Sequence, residues 1–196
     1  FMMTALLNAT RASCEFFKSG AVIVKDKRII ATGYNGAPTG IKNCLELGCR
    51  KKRKGIDLQN KNSGACIGEH AERNALLQIS RKDAEGGTMY SVLLPCADCA
   101  KQIVGAGIRK VFYNQVYKEP NNLVKEIFEE AGVILENIDI DPQKILEFVL
   151  KSKKRNVKKT EPTSVETKSL KKVSARDVLA MNRDIKKRVG KKMPLV

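Results

Sequence analysis

Histidine is almost absent from this chain: among 196 residues only His70 can offer an imidazole. Long apolar runs are absent as well. The stretch Gly20-Ala21-Val22-Ile23-Val24 is among the longest, far short of the ~20 residues that cross a bilayer. No charged-then-apolar leader precedes it, so the sequence predicts a soluble, cytoplasmic protein with no membrane role. The first residues read as a helix already under way at Phe1, so a few natural residues are expected to precede it. No internal repeat is found. Aromatic residues are missing from 152 to 196, which leaves that stretch without side chains that stack on bases. What is present suffices for a core: 42% of residues are hydrophobic, which excludes disorder throughout and suits one domain with an appendage.

Charge is unevenly spread. Residues 1–150 carry 21 Lys/Arg against 17 Asp/Glu, whereas residues 151–196 carry 16 against 4. The basic segment opens with KSKKRNVKK and continues through TEPTSVETKS, a composition that cannot offset the entropy of ordering. We therefore expect a domain over 1–151 and a basic, partly disordered tail over 152–196. Within the tail, Ser174 with Asp177 and the spacing of Val178, Leu179, Ile185 and Val189 predict a short conditional helix.

Up to the tail, strands alternate with helices. A helix is predicted over the first fifteen residues, then a hairpin over GAVIVKDKRIIATGYNG and a long polar insertion over 38–65. A helix over 69–80, a strand TMYSVLL, a helix over 97–105, a strand RKVFYN, a helix over 121–131 and a strand VILENIDI follow. Ile145 to Leu150 predict one more helix. This order implies crossover connections and a mixed sheet covered on both faces.

The lone histidine sits in HAE, with Glu72 two positions on. Residues two apart do not share a helix face, so a site using both must lie off the end of the helix. The remote Pro95-Cys96-Ala97-Asp98-Cys99 follows a strand and opens a helix. There the first-turn dipole favours thiolates, and the spacing lets both sulfurs reach one ion. One imidazole and two thiolates are the donor set of a catalytic zinc site whose fourth position stays open to water. Such a site needs a carboxylate to move protons, and Glu72 has the chemistry and the position. Either half alone is weak, but HAE and PCxxC together match the zinc deaminase signature.

At these residues the chain resembles the deoxycytidylate (dCMP) deaminase family of the zinc-dependent cytidine deaminase superfamily. The resemblance rests on ATGYNGAPTG at 31–40, HAERNAL at 70–76 and TMYSVLLPCADCAKQIVGAG at 88–107, and it covers about residues 1–140. It implies a three-layer α/β/α fold with a central mixed sheet of about five strands, the basic C-terminal extension lying outside it. It implies hydrolytic deamination of dCMP to dUMP and ammonia by a zinc-activated water. His70, Cys96 and Cys99 would hold the catalytic zinc, and Glu72 would shuttle the proton. Asn35 and Gly36 in the GYNG loop, the backbone of Ala71, and Asn74 would contact the nucleotide. An ordinary hairpin-end turn is the alternative for the loop. Relatives often carry Thr where this chain has Val92, which puts one polar contact in doubt. The resemblance also suggests a homo-oligomer, with a hexamer as its form, and allosteric control by dCTP and dTTP together with Mg2+.

Cys14, Cys44, Cys49 and Cys66 are left over. The Cys44/Cys49 spacing suits a zinc pair, while buried or surface thiols without metal are the alternative. Several dCMP deaminases carry a second, structural zinc at cysteines matching Cys14 and Cys44. Extending that resemblance gives a four-cysteine site that would fix the insertion to the first helix. The run Arg50 to Lys54 is expected to be a solvated loop rather than a phosphate site. The rival functions are a tRNA adenosine deaminase, with the tail contacting polyanions, a deaminase of free cytidine, and a non-catalytic zinc protein that binds nucleic acid. The GYNG loop and the insertion favour a mononucleotide substrate over the first; an intact Glu72 disfavours the last.

Overall fold

Strands β1 (Gly20–Lys25) and β2 (Arg28–Tyr34) form an antiparallel hairpin in the computed structural model, which describes residues 1–58, 60, 64–116 and 122–156. Its two-residue turn places Asp26 and Lys27 at φ 49° and 62°. Positive φ at both central residues gives the twist that matches the flanking strands. The other strands are β3 (Thr88–Leu93), β4 (Lys110–Gln115) and β5 (Ile134–Asn137), and the sheet order is β2-β1-β3-β4-β5. β3 pairs antiparallel with β1 and parallel with β4, and β5 is parallel to β4. The sheet is therefore mixed, with β2 and β3 pointing the same way.

The apolar run of β1 is continuous because both faces are covered. Ala21 and Ile23 pack with helices α4 (Ala71–Leu76), α6 (Ala97–Gly105) and α7 (Leu123–Glu130), in a core that includes Met89, Cys99, Ile103, Val111 and Phe128. Val22 and Val24 face the other way, onto Met2, Ala5 and Ala9 of α1 (Met2–Ala9). Helix, sheet and helix make three layers.

Two glycines set the separation of these layers. A methyl group at Gly20 would be driven into the Ala5 carbonyl of α1, and one at Gly33 into the Ala71 carbonyl and the Ala75 amide of α4. Backbone cannot yield as a flexible side chain can. Gly33→Ala is accordingly expected to destabilise the protein by at least the ~1–3 kcal/mol typical of overpacking, read as a lower melting temperature. An unchanged melting temperature would show that α4 does not depend on this contact.

The predicted strands and crossover helices are present, and the differences have local causes. The first helix ends at Ala9 because the chain turns to let the Ser13 amide donate to the Asn35 carbonyl (3.1 Å). The helix predicted over 69–80 is confined to 71–76. Ser80 is instead the cap of a further short helix, α5 (Arg81–Ala84), its hydroxyl accepting from the Asp83 amide (3.2 Å). The insertion folds into α2 (Cys44–Leu47), opened by a capping box of Asn43 and Glu46, and α3 (Arg50–Arg53). The basic run is not uniformly solvated. Lys51 is buried, and its Nζ donates to the carbonyls of Leu58 (3.1 Å) and Asn60 (2.8 Å).

The chain divides into two compact units, Phe1–Phe148 and Val149–Val196. Helix α8 (Pro142–Asn156) covers residues 142–156, and only its last part is described in the second unit. The conditional helix predicted around 174–189 lies outside the described residues.

Candidate active site

The C-terminal ends of β2 and β3 lie at the same edge of the sheet, and the site is built there. After β3, Leu94 and the fully buried Pro95 lead to Cys96, which is the N-cap of α6. After β2, Gly36 forms an isolated antiparallel bridge with Glu69, its amide donating to the Glu69 carbonyl (3.1 Å) and its carbonyl accepting from the Glu69 amide (2.8 Å). The next residue, His70, is the N-cap of α4. Two helix N-termini are thereby turned towards one point, as the HxE spacing requires.

Nδ1 of His70 lies 3.5 Å from Sγ of Cys96 and 3.4 Å from Sγ of Cys99. All three donor atoms fall within 4.8 Å of one another, the only such group of three among the described residues. A tetrahedral zinc with Zn–S of about 2.3 Å and Zn–N of about 2.0–2.1 Å sets nitrogen and sulfur roughly 3.5 Å apart, so these residues fit that ion. The donors also grade from solvent to core: His70 is exposed, Cys96 half-buried and Cys99 buried. One side of the group therefore faces solvent.

Proton sharing among the three donors follows from this proximity. The Cys96 thiol is pushed down to about 3, chiefly by the hydrogen bond it receives from Cys99, with burial opposing and His70 assisting. Cys99 is pushed up because it holds that shared proton and is buried. His70 is raised by its bond to the Cys96 sulfur, against the effect of burial. A divalent cation would displace these shared protons and take their place.

Glu72 sits in the first turn of α4, 4% exposed. Burial pushes its carboxyl up; its own backbone amide, His70 and Ser91 work in the opposite direction. The Ser91 hydroxyl donates to Glu72 Oε1 (3.3 Å). The site thus combines three metal donors with a buried carboxyl that is not among them.

The remaining predicted contacts separate into two sets. Asn35 and Gly36 stand at the loop beside His70. The Asn35 carboxamide is already tied on both sides, accepting from the Ser19 amide (2.8 Å) and donating to the Phe17 carbonyl (2.9 Å). Ala71 is fully buried against Gly33, and Asn74 donates to the Tyr34 carbonyl (2.8 Å), so both fasten α4 to β2 in this structure. Val92 packs on the α1 face of the sheet, away from Glu72, so the missing threonine leaves the zinc-side face unaltered. Ser91 was not singled out from the sequence, and nothing local marks a lone serine in an apolar strand as a partner for a carboxyl.

Cys14, Cys44, Cys49 and Cys66 do not meet the distance that groups His70 with Cys96 and Cys99. They are nevertheless neighbours. Burial raises the Cys44 thiol first, and Cys49, Cys14 and Cys66 each raise it further through their charge. Glu15, next to Cys14, accepts from the Cys49 amide (3.3 Å), tying the end of the first helical region to the insertion.

A family model described as the cytidine and deoxycytidylate deaminase zinc-binding region matches residues 1–115. The chain is 38% identical over 134 residues to a deoxycytidylate deaminase of Saccharomyces cerevisiae, covering 68% of this chain but 42% of that protein. It is 42% identical over 117 residues to the deoxycytidylate deaminase of Mycobacterium phage D29, covering 58% of this chain and 90% of that protein. The dCMP deaminase of cyanophage S-TIM5, solved in complex with dCMP and dUMP, is similar at 31% identity and a TM-score of 0.57. That match covers 70% of this chain and 93% of the phage chain.

Proposed function

Because the chain belongs to the cytidine and deoxycytidylate deaminase zinc-binding family, we propose that it hydrolyses the 4-amino group of dCMP, giving dUMP and ammonia. The observation that carries this reading is the three-donor group of His70, Cys96 and Cys99, with Glu72 buried beside it as a non-ligand. The similarity to a phage dCMP deaminase solved with dCMP and dUMP supports the choice of substrate.

His70, Cys96 and Cys99 would hold a zinc ion, which would supply the Lewis acidity that lowers the pKa of a water towards neutrality. The chain's own part is orientation and proton transfer. Glu72 accepts the proton of the attacking water on its carboxylate, delivers it to the ring, and moves a proton to the departing amine. Burial suits it to this task, because a raised carboxyl holds a transferred proton more readily than a solvated one. Asn35 and Gly36 border the approach to His70, and we assign them the nucleotide side of the site. Ala71 and Asn74 seat α4, and we assign the Ala71 backbone and the Asn74 side chain to the nucleotide as well. Ammonia release measured against dCMP, dCTP, cytidine, adenosine and a tRNA anticodon stem tests the assignment. Turnover confined to dCMP is expected; preferred turnover of the tRNA stem or of free cytidine would overturn it.

The four remaining cysteines are proposed to hold a second, structural zinc that draws α2 and the Cys14 region together. The upward push that Cys49, Cys14 and Cys66 exert on the Cys44 thiol, after that of burial, supports this. Changing Cys44 and Cys49 to Ser should lower the zinc count by one per chain and lower the melting temperature, since metal binding is coupled to folding. An unchanged count, or a disulfide among the four, would contradict it. Six cysteines retained as free thiols or metal ligands need a reducing compartment, so the cytoplasm is the proposed location. No helix among the described residues is long and apolar enough to cross a membrane. A homo-oligomer, with a hexamer as its form, and control by dCTP and dTTP with Mg2+ complete the proposal on family resemblance.

We also propose a functional division at 151/152. The balance of 16 basic to 4 acidic residues in 151–196 suits non-specific contact with polyanions. Deleting 152–196 is expected to leave dCMP turnover within about twofold, because every residue assigned to catalysis precedes it, and to abolish salt-sensitive binding to nucleic acid. Loss of turnover in a folded truncated protein would contradict this division.

A further inference from the structure

Ser91 lies in the middle of β3 with its side chain on the same face of the sheet as Met89. It pairs with Ala21 of β1 on one side and Tyr113 of β4 on the other, and it is 0% exposed. Fully buried positions in a central strand favour apolar or β-branched side chains. A hydroxyl left without a partner there would cost stability. Its partner is Glu72 Oε1, at 3.3 Å, and Glu72 is itself one of only four buried polar or charged residues among those described. The two groups come from different elements, nineteen positions apart, and each answers the other's need inside an otherwise apolar core.

We propose that Ser91 is a positioning residue for Glu72, its hydroxyl fixing Oε1 so that the carboxyl is held at the zinc-ligand end of α4 with its second oxygen directed to proton transfer. The inference rests on Glu72 being the proton carrier. A carboxyl has two equivalent oxygens and a freely rotating terminal torsion. A donor on one oxygen removes that freedom. Transfer of a proton to and from water and ring needs the carboxyl within hydrogen-bond reach of both, so loss of the donor should lower the turnover number more than the affinity for substrate. A role confined to packing would depend on volume, not on the hydroxyl.

Valine and threonine have the same shape and differ in the hydroxyl, which makes them the informative pair. Ser91→Ala, Ser91→Val and Ser91→Thr would be compared with the parent protein for kcat and KM on dCMP, zinc content and melting temperature. The Glu72 carboxyl 13C resonance, assigned by its loss in Glu72→Gln, would be followed in each. We expect Ala and Val to lower kcat roughly tenfold with KM and zinc content unchanged, and Thr to recover most of it. The resonance should move in Ala and Val and stay near its parent position in Thr. Equal kcat for Val and Thr, or one resonance position in all four proteins, would overturn the proposal. If Thr fails to fold, the comparison of Ala with the parent decides by the same resonance. If the parent protein turns over no dCMP, the substrate assignment fails, while the resonance still tests the Ser91–Glu72 contact.

Discussion

Glu72→Gln is expected to leave zinc bound and the fold intact while lowering deamination by ~10²–10⁴-fold, the range for loss of a general acid–base group. The amide has the shape of the carboxyl and can still accept from Ser91 at the oxygen that now takes the 3.3 Å bond. What it cannot do is carry a proton. Glu72 is 4% exposed, and burial disfavours its charged form, so a neutral replacement should hold or raise the melting temperature. The check is kcat, zinc content and melting temperature on one preparation. Near-normal turnover with full zinc would remove Glu72 from the mechanism; loss of zinc would make it a ligand.

His70→Ala should have the larger effect, because it removes one of three donors and the only imidazole in the chain. The two thiols left behind lose the group that lies 3.4–3.5 Å from both. We expect zinc content to fall by one per chain, turnover to fall by more than in Glu72→Gln, and the melting temperature to drop as the metal's contribution to folding is lost. Retention of catalytic-site zinc by the variant would show that the ligand set is different. The two substitutions therefore separate proton transfer from metal binding, the first sparing the metal and the second removing it.

The chemistry was more legible in the sequence than the supports that hold it. HAE and PCxxC announce themselves because their residue types are scarce and their spacing is dictated by helix ends: His70 and Cys96 are both N-caps, and Cys99 lies one turn further on. The apolar run of β1 was equally readable as a hairpin strand, and the alternation of strands with helices as a sheet covered on both faces. What escaped depends on partners distant in the chain. Ser91 has meaning only opposite Glu72, Gly33 only beneath Ala71 and Ala75, and Lys51 only when the chain returns at Leu58 and Asn60 to offer carbonyls. The end of the first helix is set by a bond from Ser13 to Asn35 and has no local stop signal. Ser80, read as a helix end, carries the cap signal of α5 in Asp83 three residues later, a cue that the preceding helical pattern obscured. Asn74 and Ala71, assigned to the nucleotide on family resemblance, also fasten α4 to β2, and those contacts are set by tertiary neighbours that the motif does not reveal.

Deamination of dCMP at a zinc site formed by His70, Cys96 and Cys99 is the activity proposed for this chain. The most direct test is conversion of dCMP to dUMP by the chain of residues 1–196, followed by product identification and ammonia release, with zinc quantified on the same sample. Stoichiometric formation of dUMP and ammonia that is lost on chelation and returns with zinc is the predicted result. Unchanged dCMP in the presence of a fully zinc-loaded protein would contradict it.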